Sequence, residues 1–503
     1  MQSLWKKVLS LHRYCNHHEW IIFLLLIVAV SRLPTLVTPN YYGDEEIYFV
    51  MGRAWSSGVP LYEAMFDHKP PLIYVMAGIF STIPLFRGFL LLSMLVHTIV
   101  FWKIAEKFWG ERDRVMAYLS SAIFVGLTTL PTFEGHIVNA ELLMMLPVSI
   151  SILLIWGTQK QEKISKSRYL LAGIVAGLGW LYKIPVVFDA IAIALYMFIF
   201  AEKTFWSSVK AIFSLRFWLY LGGFALPLAL SFVYYYLKGH GESYLATVFT
   251  VNLGYVSSWK SESFTTFNPF KSGLVVRGAV LAAYTFVLYV LRKKLDSRIL
   301  FASLWLGFSL FGALLSYRPY PHYLQEIVPA IALLIPTLFT TQTFMGWLLW
   351  ATIIGVGILV QRDVRFWAYE SKSLYLSYWQ LVTRQITPET YRGRFDNAKR
   401  NYAIAEYISS HIGKEERIYV WGSDPTIYNL THKIPSGGKY IVSFHVRDLN
   451  KYDYVMENLT ISTPQAIVML PGETSFPALE ALLSTKYVEV FNYEDAVVYW
   501  RLD

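Results

Sequence analysis

Cysteine is nearly absent from the 503 residues: the single one, Cys15, excludes an intramolecular disulfide framework and a cysteine-based metal centre. Charge is scarce as well. With 16% charged against 55% hydrophobic residues and a mean hydropathy of +0.40, a soluble enzyme is excluded, and the apolar runs are interrupted too often for a single anchor. What remains is a polytopic α-helical membrane protein. The net charge of +9 does not point to nucleic acid, because the basic residues sit mostly in short loops between apolar runs, where they set topology. No small-residue cleavage site follows the apolar run from Trp20, so the first span is expected to stay uncleaved.

About eleven spans are predicted, near 20–38, 86–104, 114–131, 140–157, 169–182, 184–201, 215–237, 273–291, 299–316, 322–340 and 345–361, with 72–84 as a short helix after a double proline. Placing the N-terminus (with Lys6, Lys7 and Arg13) inside puts four basic loops on the cytoplasmic side: Lys103/Lys107/Arg112/Arg114, Lys160/Lys163/Lys166/Arg168, Lys203/Lys210/Arg216 and Arg292/Lys293/Lys294/Arg298. The outer side then receives 39–71, 132–139, the turn at Lys183, 238–272, 317–321 and everything after 361. The expected setting is a multi-pass plasma membrane protein with an extracytoplasmic C-terminal part.

At about 362 the composition turns polar, which divides a membrane domain (1–361, with outer loop 40–71) from a small soluble α/β domain (362–503). In the latter the pattern predicts a helix near 395–411, a strand at RIYVW, helices near 425–431 and 447–457, a strand at QAIVML, a helix at 476–484, and a hairpin VEVFNY/AVVYWRL turned at Glu494-Asp495. No phosphate-cradling glycine fingerprint follows either inner strand, so this domain is given no catalytic role of its own. Gly-Ser-Asp-Pro at 422–425 reads as a turn into a helix, and the sequons at Asn429 and Asn458 matter only if the outer face is a eukaryotic lumen.

The polar residues of an oily chain carry its chemistry, and most gather on the predicted outer face. The stretch 41–71, YYGDEEIYFVMGRAWSSGVPLYEAMFDHKPP, holds Asp44, Glu45 and Glu46 at the start of an amphipathic helix, then His68 and Lys69 before Pro70-Pro71. Glu141 opens another helix from the same side, Lys183 lies in a turn between two spans, and Arg318, His322 and Tyr323 meet a further span. Asp189 and His97, inside apolar stretches, are expected to pair with neighbouring helices. Outward-facing acids and cations suit transfer chemistry. A carboxylate can take a proton from an acceptor hydroxyl or amine as it attacks a sugar carbon, while Lys and Arg neutralise a departing phosphate. With no nucleotide pocket evident, a lipid-linked donor is expected. A transporter or lipid scramblase is the alternative, but transporters place binding groups near the midplane and show internal repeats, and no convincing repeat is found.

The stretch GDEEIYFVMGRAWSSGVPLYEAMFDHKPPLIY resembles the first outer loop of the polyprenyl/dolichyl-phosphate-sugar glycosyltransferases of the protein-mannosyltransferase-like group, which have the GT-C membrane fold and include the aminoarabinose transferases of lipid A. NAELLMML, GLGWLYKIP and RPYPHYLQEIVPAIALL are similar to further segments of that family, and the likeness covers about 1–340. It implies Asp44 as catalytic base, Glu45 as its neighbour or an alternative base, and Glu141 as a second acid near the acceptor. Lys69 is implied as phosphate ligand, with Lys183 and Arg318 as further donor-phosphate contacts. Arg53, Tyr62, His68, His322 and Tyr323 complete the set as substrate-binding residues. The implied partners are a polyprenyl-phosphate-linked sugar, the bilayer and an acceptor left open. No cofactor is fixed; a divalent metal is an option, with His68 standing where some relatives carry an acid and a His68–His322 pair considered as ligands.

Overall fold

The computed structural model describes residues 17–110, 113–156, 164–202, 204–252, 273–341 and 343–502. Cys15, Lys6, Lys7, Arg13, Arg112, Lys160, Lys163, Lys203 and the 253–272 part of the outer loop lie outside the described residues. The chain forms two compact units, each assembled from distant segments: one comprises 1–33, 88–233 and 251–371, the other 34–87, 234–250 and 372–503.

The first unit is helical. Among the described residues, six helical segments of the whole chain are long and apolar enough to cross a membrane: Glu19–Val37, Ile83–Trp109, Leu215–Leu237, Gly273–Leu291, Pro321–Thr340 and Phe344–Val364. Four predicted spans form shorter apolar helices, at Arg114–Thr129, Ala140–Ile155, Val186–Phe200 and Ser297–Ala313. A 16-residue helix rises only about 24 Å, less than the hydrocarbon thickness. The first of these shortens for a visible reason: its pattern was expected to run to 131, but the helix ends at Thr129, before Pro131, and the chain turns with Glu134 in the left-handed region (φ 55°). Large apolar side chains face outward, among them Leu92, Phe286, Trp347 and Ile358, as lipid contact requires. The two intramembrane polar groups have partners within the unit. Trp305 Nε1 donates to Asp189 (2.7 Å), and His97 Nε2 meets Ser149 Oγ (2.8 Å).

The second unit joins 34–87 and 234–250 to the C-terminal part, 372–503. Helix Gly43–Ser56 crosses helix Leu72–Ile79 at Gly52 and Gly78, where a Cβ on either residue would lie within 3 Å of the opposite backbone. This crossing lets the chain between the helices fold back, so that Lys69 returns to the level of Asp44. Strands β1 (Ile418–Trp421) and β2 (Ala466–Met469) pair in parallel, and β3 (Tyr487–Tyr493) and β4 (Ala496–Arg501) form the hairpin; the sheet order is β1-β2-β4-β3. β1 is buried throughout although it ends the sheet. The helix expected near 447–457 is instead two, Ser443–Asp448 and Tyr452–Ser462, broken where Asn450 takes φ 50°. Helix Thr426–Thr431 packs on helix Gly43–Ser56, fixed by Arg53, which donates to the carbonyls of Tyr428 (3.0 Å) and Asn429 (3.5 Å).

Candidate functional site

Three consecutive acids open helix Gly43–Ser56, and burial separates them. Glu45 is fully buried against Arg87, which donates from Nε (3.0 Å) and Nη2 (2.5 Å) to its two oxygens while also reaching the Thr35 carbonyl (2.8 Å). A bidentate pair of this kind is a fixed structural element. Glu46 is also fully buried. It accepts from Asn40 Nδ2 (2.9 Å) and Asn429 Nδ2 (2.7 Å), and burial pushes its carboxyl up to about 8, with those hydrogen bonds opposing. Asp44 alone of the three keeps its side chain accessible, 30% exposed. One of its oxygens accepts from Tyr48 Oη (3.4 Å) and lies 4.0 Å from Lys69 Nζ.

Lys69 is held from several directions. Its ammonium lies 3.3 Å from Asp67 Oδ2 and over the Tyr48 ring at 5.1 Å, while its carbonyl accepts from Tyr62 Oη (2.9 Å) and its amide donates to Tyr74 Oη (3.2 Å). Tyr62 manages this from the left-handed region (φ 70°), packed edge-on against Tyr235 and Tyr244. Asp67 is fully buried. Burial would raise its carboxyl, yet Lys69 and His68 hold it well below the usual carboxylate range, and Tyr74 Oη donates to it at 2.7 Å. His68, beside it, is shifted downward by burial, with Asp67 opposing. Asp67 Oδ1, His68 and His445 form a group whose ligand atoms all lie within 4.8 Å of one another, a donor set that a divalent metal would fit. His68 thus meets Asp67 and His445 within its own unit, and the other member of the histidine pair considered for a metal, His322, belongs to the helical unit.

In that helical unit a second polar cluster forms. Asn139 caps helix Ala140–Ile155 through Leu142 N (3.2 Å), which sets Glu141 in the first turn. Lys183 Nζ donates to Glu141 and stands over the Tyr323 ring at 4.1 Å. His322 joins the two acids of the cluster: Nδ1 and the backbone amide face Glu134, and Nε2 lies 3.7 Å from Glu141 Oε1. Tyr320 stacks on the imidazole at 5.6 Å. Glu134, Glu141, His322, Arg318 and Tyr323 are all buried, as is Glu326, whose carboxylate oxygens find no hydrogen-bond partner among the described residues.

The residues singled out in the sequence therefore gather as two groups. Asp44, Tyr62, His68 and Lys69 converge in one unit, and Glu141, Lys183, His322 and Tyr323 in the other. Arg53 is occupied in docking helix 426–431, and Arg318 lies buried four positions before His322. Sequence reasoning passed over Asp67, Arg87, Glu134, Glu326 and His445. Two of these carried a signal: Arg87 in PLFRGFL and Glu326 in YLQEIVP are charges inside apolar runs, where a charge needs a partner or a function. Asp67 directly precedes His68-Lys69, whereas nothing near Glu134 or His445 announces its partner.

No protein-family model and no curated protein matches the chain. Its fold is known nonetheless: it is the GT-C fold of membrane glycosyltransferases. The chain is similar to the crystal structure of ArnT from Cupriavidus metallidurans bound to undecaprenyl phosphate, with a TM-score of 0.56 and 13% identity over 96% of this chain and 98% of that one. The same enzyme in the apo state gives a TM-score of 0.56 and 13% identity over 95% and 97%.

Proposed function

We propose that this protein is a membrane glycosyltransferase that moves a single sugar from a polyprenyl-phosphate donor to an acceptor hydroxyl or amine on the extracytoplasmic face, with inversion. The observation that carries this reading is the Asp44–Lys69 pair: one accessible carboxylate beside a cation fixed by its surroundings. Asp44 takes the proton of the acceptor as its oxygen or nitrogen attacks the anomeric carbon; the bond from that carbon to the phosphate oxygen breaks, and the electron pair leaves with the phosphate. Lys69 offsets the growing charge. Lys183 and Arg318 act on the donor phosphate, and Glu141 serves near the acceptor with His322, which Glu134 orients. The bound undecaprenyl phosphate of the ArnT structure supports a polyprenyl donor.

In this reading the four shorter helices and helix Lys166–Trp180 also cross, giving about eleven spans with the N-terminus cytoplasmic and the soluble part of 362–503 outside. Mass spectrometry of outer-face protein, lipid and polysaccharide tests the assignment. Removing the gene should delete one sugar, the wild-type gene should restore it, and a gene carrying Asp44→Asn should not. Identical glycans with and without the gene would oppose the reading.

A further inference from the structure

Away from its polar cluster, the helical unit has an apolar hollow of about 560 Å³, lined by Leu195, Phe200, Val209, Leu281, Phe286 and Phe308. These residues belong to helix Val186–Leu195 and the wider turn Tyr196–Phe200 that continues it, and to helices Phe205–Ile212, Gly273–Leu291 and Ser297–Ala313. Leu195 to Phe200 stand about 18–26 Å of helical rise beyond Lys183. The volume is that of a site holding a small molecule. Two hydroxyls in the wall are already satisfied: Ser208 Oγ donates to the carbonyls of Ile199 (3.1 Å) and Thr204 (3.2 Å), and Thr285 Oγ1 to that of Leu281 (2.7 Å). An occupant is therefore held there by hydrocarbon contact.

Positive charge gathers at one end of this hollow. Tyr289, in its wall, is met edge-on by Phe200 at 5.7 Å and carries the Arg292 guanidinium 3.8 Å from its ring centre. Arg292 Nη1 donates to the Tyr289 carbonyl (2.7 Å), while its buried Nε has no hydrogen-bond partner among the described residues. Lys293 and Lys294 follow, both exposed, and exposed Lys210 adjoins Val209. The acids of these two connections are Glu202 and Asp296, and Arg298 Nη2 already holds Asp296 at 2.9 Å, so cations are in excess. Helix Phe205–Ile212 has the form of an interfacial helix: Thr204 and Ser207 close a capping box at its start, and the aromatic residues Phe205, Trp206 and Phe213 are exposed around it. A short helix with outward aromatic rings and a lysine sits at headgroup level.

We propose that the hollow holds an acyl chain of one anionic glycerophospholipid whose headgroup phosphate meets Arg292, Lys293, Lys294 and Lys210. Its leaflet is the one on the basic side of the protein, cytoplasmic in the topology proposed above. The phosphate supplies the acceptor that Arg292 Nε lacks, and a basic pocket between helices at headgroup level is a recognised form of lipid site. Charge decides against a polyprenyl phosphate here. That lipid has a single charged end, which the transfer reading places at Lys183, and its uncharged tail offers nothing to a second group of cations. A bound phospholipid ties helix Phe205–Ile212 to helix Gly273–Leu291 and stabilises the folded chain by linkage.

The site is independent of sugar transfer, and binding alone tests it. Full-length protein in detergent is titrated with phosphatidylglycerol or phosphatidylcholine of identical chains and followed by native mass spectrometry. One phosphatidylglycerol per chain should be retained, at least about tenfold more tightly than phosphatidylcholine. The triple variant Arg292→Gln, Lys293→Gln, Lys294→Gln should weaken phosphatidylglycerol by at least about tenfold, to the level of phosphatidylcholine, while Lys486→Gln, at an exposed site in the soluble part, leaves it unchanged. Ala282→Trp fills the hollow and should abolish retention of the lipid. Added undecaprenyl phosphate should leave the phosphatidylglycerol in place. Equal retention of the two phospholipids, displacement by undecaprenyl phosphate, or undiminished binding in the triple variant would each overturn the site. If either variant does not fold, the two phospholipids and the undecaprenyl phosphate competition on the wild-type protein decide.

Discussion

The acid cluster of the second unit, in 34–87, and that of the helical unit use similar residues in different ways. In the first, two of three neighbouring acids are buried with fixed partners and the third is left accessible beside a lysine. In the second, both acids touching His322 are buried, and Lys183 pairs with one of them. Burial, more than residue type, separates the carboxylates held by fixed partners from the accessible one. A buried pair resists change because removing one member strands the other in a poor solvent, whereas an accessible acid can be altered at little structural cost.

The largest effect expected from breaking this contrast is on stability. Glu45→Gln leaves Arg87 buried without its counter-ion and should cost about 3–5 kcal/mol, read as a steep loss of folded protein in thermal unfolding; unchanged unfolding would show that the pair is not structural. Lys183→Ala strands Glu141 in the same way. Because the Lys183 side chain is 17% exposed, the expected loss is smaller, about 2–3 kcal/mol, measured in the same assay. Lys69→Ala should act mainly on donor binding, weakening it about 10–100-fold in a lipid-phosphate competition measurement. An unaltered affinity would move the phosphate ligand elsewhere.

A further effect sharpens the comparison through pH. Burial pushes the Glu46 carboxyl from its ordinary 4.5 up to about 8, so the folded protein binds a proton that the unfolded chain releases. Stability contributed by this group is therefore present below about 4.5 and is lost progressively as pH rises to about 8. Glu46→Gln keeps an acceptor for Asn40 and Asn429 and removes the ionisation. It should gain stability near pH 7 and flatten the decline of melting temperature over that window; an equal pH slope in both proteins would contradict the shift.

How much of this could be read in the chain depends on distance along it. Local signals served well: strands RIYVW and QAIVML and the final hairpin fall at 418–421, 466–469 and 487–501, and the concentration of acids and cations in 41–71 marks the Asp44–Lys69 pair. Composition and periodicity alone do not show which of the three acids stays accessible. Arg87 reaches Glu45 from 42 positions away and Glu134 meets His322 across 188, and no periodicity or turn chemistry encodes such pairings. The span predicted over 114–131 was also drawn long, because hydropathy does not show where a proline or a left-handed residue ends a helix early.

The central claim is that Asp44 is the base and its buried neighbours are scaffold. Its most direct test is single-turnover sugar transfer by purified Asp44→Asn with a polyprenyl-phosphate-sugar donor. The account predicts wild-type donor binding and melting temperature with transfer reduced at least about a thousandfold. Turnover at the wild-type rate would contradict it.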